Sequence, residues 1–266
     1  MNDKRLLFQQ IKVKSAIYLG IVSLSSSHLP MQAQSILIPP KNKNQEISLK
    51  APKFPDNGAP TGRRRGGTSR NDCPEIKTPL TALVPGKETQ DEFNDSTSFL
   101  ASTVSKYPTF WVYIPDVPKK ARFGEFILQD KAGKDVYRTS INLTQTKTII
   151  GISTPSHPKY SLEIGQKYHW YFKIYCKDGE AEAGYFYVDA WIQRVALTPD
   201  LKRQLQKVKS QKFFTNTDQN IWYDKLTILG KLVDANQQNS TIKVNWNKLL
   251  KSVGLQDVSQ APIEVP

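Results

Sequence analysis

Apolar and polar positions alternate most strictly between residues 167 and 176. Tyr168, Trp170, Phe172, Ile174 and Cys176 alternate with His169, Tyr171, Lys173 and Tyr175. Successive side chains of a strand point to opposite faces, so the first five share one face and the other four its reverse. Other β-rich runs surround this stretch: Leu80–Val84, Tyr107–Pro115, Glu125–Asp130, Asp135–Ile141, Thr148–Ile152 and Gly184–Val195. Prolines bracket the second, and the short loop Lys131–Lys134 joins the third to the fourth as a hairpin. After Val195 the period lengthens. Thr198-Pro199-Asp200 is a helix start with Thr as cap, followed by Leu201, Leu205 and Val208 at helical spacing. A second stripe runs through Ile221, Trp222, Leu226, Leu229 and Val233, and a third through Trp246, Leu249, Leu250, Val253 and Leu255.

About seven strands without βαβ alternation predict an all-β fold, an antiparallel sandwich of immunoglobulin or fibronectin character with a C-terminal helical appendage. Leu162, a turn at Gly165 and then an inward Tyr168 match the corner before a central strand of such sandwiches. There the phenol bonds back to upstream backbone. The sandwich is expected over residues 78–196 and the helical region over 197–266.

The N-terminus reads as a secretory signal over residues 1–33. Lys4, Arg5, Lys12 and Lys14 precede an apolar run, Ile17–Leu24, too short to span a bilayer. No later run is apolar enough for a membrane helix, so export to the periplasm, cell envelope or medium is expected. Residues 34–77 are a Pro-, Lys- and Arg-rich tether with no periodicity, expected to stay disordered because it buries too little apolar surface. The chain of 266 residues carries a net charge of +13, and loss of the signal leaves about +10. Export makes nucleic acid an improbable partner for that charge. Within the tether, Arg63, Arg64, Arg65 and Arg70 form a patch able to contact anions through forked donors. The same arginines also suit a solvated arm. A phosphate-cradling loop is excluded there, because Thr68 stands where lysine is needed and no strand precedes it. Cys73 and Cys176 are the two cysteines of the sequence, and an even pair in an oxidising compartment predicts a disulfide.

Chemistry for catalysis is sparse. His157 and His169 are the histidines beyond the signal, and neither sits in a metal-ligand or nucleophile motif. No cofactor or metal is implied. Asp178, Glu180 and Glu182 read as a solvated hairpin loop. The more informative pattern is aromatic. If the strands around 167–176 and 184–195 pair as a hairpin, His169, Tyr171, Lys173 and Tyr175 lie beside Tyr185, Tyr187, Asp189 and Trp191 on one outer surface. Phe186, Val188, Ala190 and Ile192 then face the core. Rings interleaved with polar groups suit a sugar or an apolar peptide. The competing expectation is that the C-terminal helices cover this face as a second core.

Several stretches resemble an uncharacterised family found mainly in cyanobacteria, the domain of unknown function numbered 928. They are Gly58-Ala-Pro-Thr-Gly-Arg-Arg64, Leu80-Thr-Ala-Leu-Val-Pro85, Pro108–Pro115, Tyr168–Cys176, Tyr187–Arg194 and Ile221-Trp-Tyr-Asp224. The resemblance implies an exported protein of that organismal group, without an activity, cofactor or catalytic residue to carry over. The reading reached is a non-enzymatic binding or assembly module of the envelope with a protein or carbohydrate partner. The alternative is an envelope hydrolase acting on glycans.

Overall fold

The computed structural model describes residues 62–68, 73–86, 99–177, 184–210 and 221–265. The expected signal, Arg70, most of the tether and the acidic loop 178–183 lie outside them. Ten strands form β1 (Arg63–Thr68), β2 (Thr81–Ala82), β3 (Leu100–Thr103), β4 (Thr109–Ile114), β5 (Phe123–Gln129), β6 (Asp135–Asn142), β7 (Thr148–Ser153), β8 (Lys167–Tyr175), β9 (Tyr185–Arg194) and β10 (Ile263–Glu264). Three helices follow β9: α1 (Pro199–Lys209), α2 (Trp222–Ala235) and α3 (Ser240–Lys251). The protein is mostly β-sheet, curled into a half-barrel, with the helices at its C-terminal end. Strand order is β10-β7-β4-β2-β1-β9-β8-β5-β6, with β3 paired to β9.

Three features depart from the expected antiparallel sandwich. First, β3 on β9 and β10 on β7 are parallel pairs. Second, the expected tether enters the sheet: β1 joins β2 to β9 and makes the two halves continuous. Its glycine makes that possible, since a Cβ on Gly66 would sit 2.9 Å from Leu80 Cβ. The Gly66 amide donates to the Leu80 carbonyl at 2.6 Å across the same gap. Third, the helices are not an appendage. Trp222, Tyr223, Leu226, Trp246 and Leu250 belong to the same buried cluster as Phe110, Trp170 and Phe172 of the sheet.

The core is the concave face of the half-barrel. Tyr168, Trp170, Phe172 and Ile174 of β8 and Phe186, Val188, Ala190 and Ile192 of β9 are buried, as the alternation predicts. Phe110 of β4 meets Phe126 and Trp170 at ring-centre distances of 4.8 and 5.3 Å. The Tyr168 phenol accepts from the Glu163 amide at 2.9 Å, the expected back-bond at the corner before β8. Helix α2 closes the core through three consecutive side chains. Trp222 Nε1 donates to the Leu83 carbonyl at 2.7 Å. The Tyr223 hydroxyl accepts from Trp170 Nε1 at 2.7 Å and donates to the Trp191 carbonyl at 3.2 Å. Asp224 accepts from the Val104 amide at 3.0 Å. The apolar side chains alone would pack without fixing a register; these directed bonds fix it.

Candidate functional site

The hairpin β8–β9 brings the sequence-predicted aromatic residues to one surface. Its register places His169 opposite Trp191, Tyr171 opposite Asp189, Lys173 opposite Tyr187 and Tyr175 opposite Tyr185. All eight therefore share the convex face, opposite the buried Trp170 and Phe172. Helix α2 packs against β3, β4 and β10 and reaches Trp170 from the concave side. The helices are accounted for by the core, so they are not the cover expected for these rings.

The rings are instead half-buried against one another. His169 stacks on Trp191 at 4.2 Å with planes 12° apart. Its Nε2 lies 2.7 Å from Asp189 Oδ2, and its Nδ1 lies 2.6 Å from the Tyr171 hydroxyl. A carboxylate only accepts, so Nε2 carries the proton; in the neutral ring Nδ1 then accepts from Tyr171. Burial raises the Tyr171 phenol's titration, with Asp189 adding to it, which keeps that proton on the tyrosine. Asp189 itself is 8% exposed. The chain Tyr171–His169–Asp189 is thus a satisfied clamp that fixes the Trp191 stack.

Below it, Tyr175, Tyr185 and Tyr187 form an edge-to-face ladder at 6.0 and 5.9 Å. Tyr175 donates to Glu125 Oε2 at 3.0 Å. Burial first, then that carboxylate, pushes its titration up to about 12. Two cations lie over the ladder: Lys173 Nζ at 4.8 Å from the Tyr185 ring centre, and the Arg63 guanidinium at 5.0 Å from that of Tyr187. Sequence reasoning missed the extension of this face onto β5 and β6. There Glu125 pairs with Arg138 at 2.7 Å, and Arg138 Nε reaches Asp135 at 2.8 Å. The period-2 alternation of Glu125, Ile127 and Gln129 carried that signal.

The arginine patch divides. Arg63 is exposed and belongs to the aromatic face. Arg64 is 5% exposed and donates to the Val253 carbonyl at 2.6 Å. Arg65 forks onto both oxygens of Asp257 at 2.7 and 2.9 Å and also donates to Thr81 Oγ1 at 3.1 Å. These two fasten the segment after α3 to β1, so they are not open anion contacts. Burial raises the Asp257 carboxyl, but the Arg65 fork outweighs it and holds the group below its ordinary range. Arg70 lies outside the described residues. Cys73 and Cys176 are bonded, with Cα atoms 5.1 Å apart, and tie the segment after β1 to the end of β8.

Among the described residues no group of three or more His, Cys, Asp or Glu could hold a metal ion. No helix among them is long and apolar enough to cross a membrane. No curated protein matches the chain. Among solved structures, the apo structure of Bacteroides uniformis beta-glucuronidase 3 is similar at 11% identity with a TM-score of 0.25. The match covers 69% of this chain and 27% of that one, so the chain spans about a quarter of that structure's length. A likeness that weak carries no argument. The match to a family is of another order, because it spans residues 65–263, from Arg65 of β1 through the clamp and the α2 anchors to the start of β10. The chain belongs to the family described as Domain of Unknown Function (DUF928).

Proposed function

We propose that the protein is an exported, non-enzymatic module that binds an anionic glycan of the cell envelope on the convex face of β8 and β9. One observation carries the reading: Lys173 and Arg63 are held over Tyr185 and Tyr187 beside the stacked Trp191. Flat rings offer contact area to sugar faces at small entropy cost, and adjacent cations supply partners for carboxylate or sulfate groups. Export is supported by the N-terminal pattern and by the paired cysteines, since disulfides persist in oxidising compartments. A sandwich of immunoglobulin character is the finer fold reading, supported by the Tyr168 corner and by Phe110 packing across the core on Trp170. A hydrolase is the weaker alternative. The carboxylates placed on this face, Asp189, Glu125 and Asp135, already accept from His169, Tyr175, Arg138 and Gln129.

Passing the purified protein over immobilised alginate, a carboxylated polysaccharide, and over neutral dextran tests the reading. Saturable, salt-sensitive retention on alginate alone is expected, lost in Tyr187→Ala. Equal behaviour on both matrices, or shortening of the glycan chains, contradicts it.

A further inference from the structure

A second surface lies away from the aromatic face, where the half-barrel fails to close. Strand β6 ends the sheet on one side, and among the described residues nothing pairs with its outer edge. The chain leaves β6 at Asn142 and returns as β7 at Thr148, yet the two strands diverge instead of pairing. Between them runs a groove of about 320 Å³ whose lining includes Tyr137, Ile141, Ile150, Ile152 and Glu264. An unpaired edge of eight residues is a template for another extended chain. The protein already uses the opposite wall this way. Its segment Ile263–Glu264 adds to β7 in parallel, with the Ile149 amide donating to the Pro262 carbonyl at 2.7 Å. Glu264 Oε1 is then left buried in the groove with no hydrogen-bond partner. A buried acceptor without a donor is costly, and a cationic donor would satisfy it best.

We propose that this groove receives an extended peptide segment of a partner protein, paired through its backbone to the outer edge of β6. Alternate side chains of that segment pack on Tyr137, Ile141 and Ile152, and one lysine or arginine reaches Glu264. Main-chain bonds supply affinity in this mode and the pockets between strands supply selectivity. The site is independent of the glycan face, so either can fail without the other.

The test uses the full chain and fluorescein-labelled heptapeptides of alternating valine and threonine, with one lysine moved through the positions. Fluorescence anisotropy is expected to show saturable binding for at least one lysine position. Methylating a backbone amide on the edge-facing side should weaken it about tenfold, the worth of one hydrogen bond. Replacing the lysine by norleucine, or Glu264→Gln in the protein, should each weaken it, with no further loss when combined. Absence of saturable binding across the panel, or binding indifferent to amide methylation, overturns the proposal. So does sedimentation showing that the protein alone dimerises and loses the dimer on Ile141→Lys, because a second copy would then fill the groove.

Discussion

The indole of Trp170 donates to the phenol of Tyr223 at 2.7 Å, joining the middle of the sheet to the first turn of α2. Tyr223 is 1% exposed and passes its own proton to the Trp191 carbonyl at 3.2 Å. Burial pushes its titration up, which keeps the proton on the phenol. The same tyrosine thus supports the strand that carries the outer Trp191 from the inside. The strands that carry the convex face are bonded from the concave side.

Tyr223→Phe keeps the ring and removes the acceptor of the buried Trp170 N–H, together with the hydroxyl's own bond to the Trp191 carbonyl. An orphaned buried donor costs about 1–3 kcal/mol, and a loss of that size is expected in urea unfolding. A change below about 0.5 kcal/mol, the range of neutral surface substitutions, would contradict the role given to this bond.

Gly230 lies inside α2, where alanine ordinarily gains about 0.8–1.0 kcal/mol from helix propensity. Here a Cβ would stand 2.5 Å from Trp111 Cη2. Overpacking of that kind costs about 1–3 kcal/mol, so Gly230→Ala should destabilise despite its propensity. A higher melting temperature for the variant would show that Trp111 moves freely.

Reducing the bond between Cys73 and Cys176 releases a loop with a sequence separation of 103. The chain-entropy argument, with strain neglected, puts the loss at about 2–5 kcal/mol. Thermal melts with and without reductant should differ accordingly, and the Cys73→Ser, Cys176→Ser double variant should match the reduced protein. Superimposable melts would mean that the covalent tie adds nothing to the sheet.

Asp224 predicts a pH signature. Desolvation raises its folded-state titration above the ordinary value, although the Val104 amide and other donors pull the other way. A raised carboxyl binds its proton more tightly in the folded state. Its contribution is fully present below about pH 4, the unfolded value, and is lost as pH rises through the folded one. Stability measured from pH 4 to 7 should therefore decline with a component that Asp224→Asn removes. An unchanged slope in the variant would assign the decline to other groups.

Much of this was legible before the fold. The period-2 runs located β4 to β9, and the switch to helical spacing after Val195 marked the helices. The alternation from Tyr168 to Cys176 separated the two faces correctly. What failed was long-range. Arg63–Thr68 reads as tether because three arginines and two glycines have little β propensity. It becomes a strand because Gly66 admits close approach to Leu80 and because Asp257, far along the chain, pairs with Arg65. Leu100–Thr103 and Ile263–Glu264 were missed because each is short and pairs in parallel with a distant strand. The division of the arginines had no local signal at all: neighbours in sequence, Arg63 and Arg64 point to opposite sides of β1.

The claim that the convex face binds an anionic glycan is tested most directly by calorimetric titration of alginate oligosaccharides into the wild-type protein and into Tyr185→Ala, Tyr187→Ala and Arg63→Gln. Exposed or half-exposed ring truncations away from the core should change stability by less than about 1 kcal/mol, so folding serves as the control. The account predicts saturable heat for the wild type that weakens with salt, and loss of binding in all three variants with melts near the wild type. Binding unchanged in the tyrosine variants, or no heat from the wild type, would contradict it.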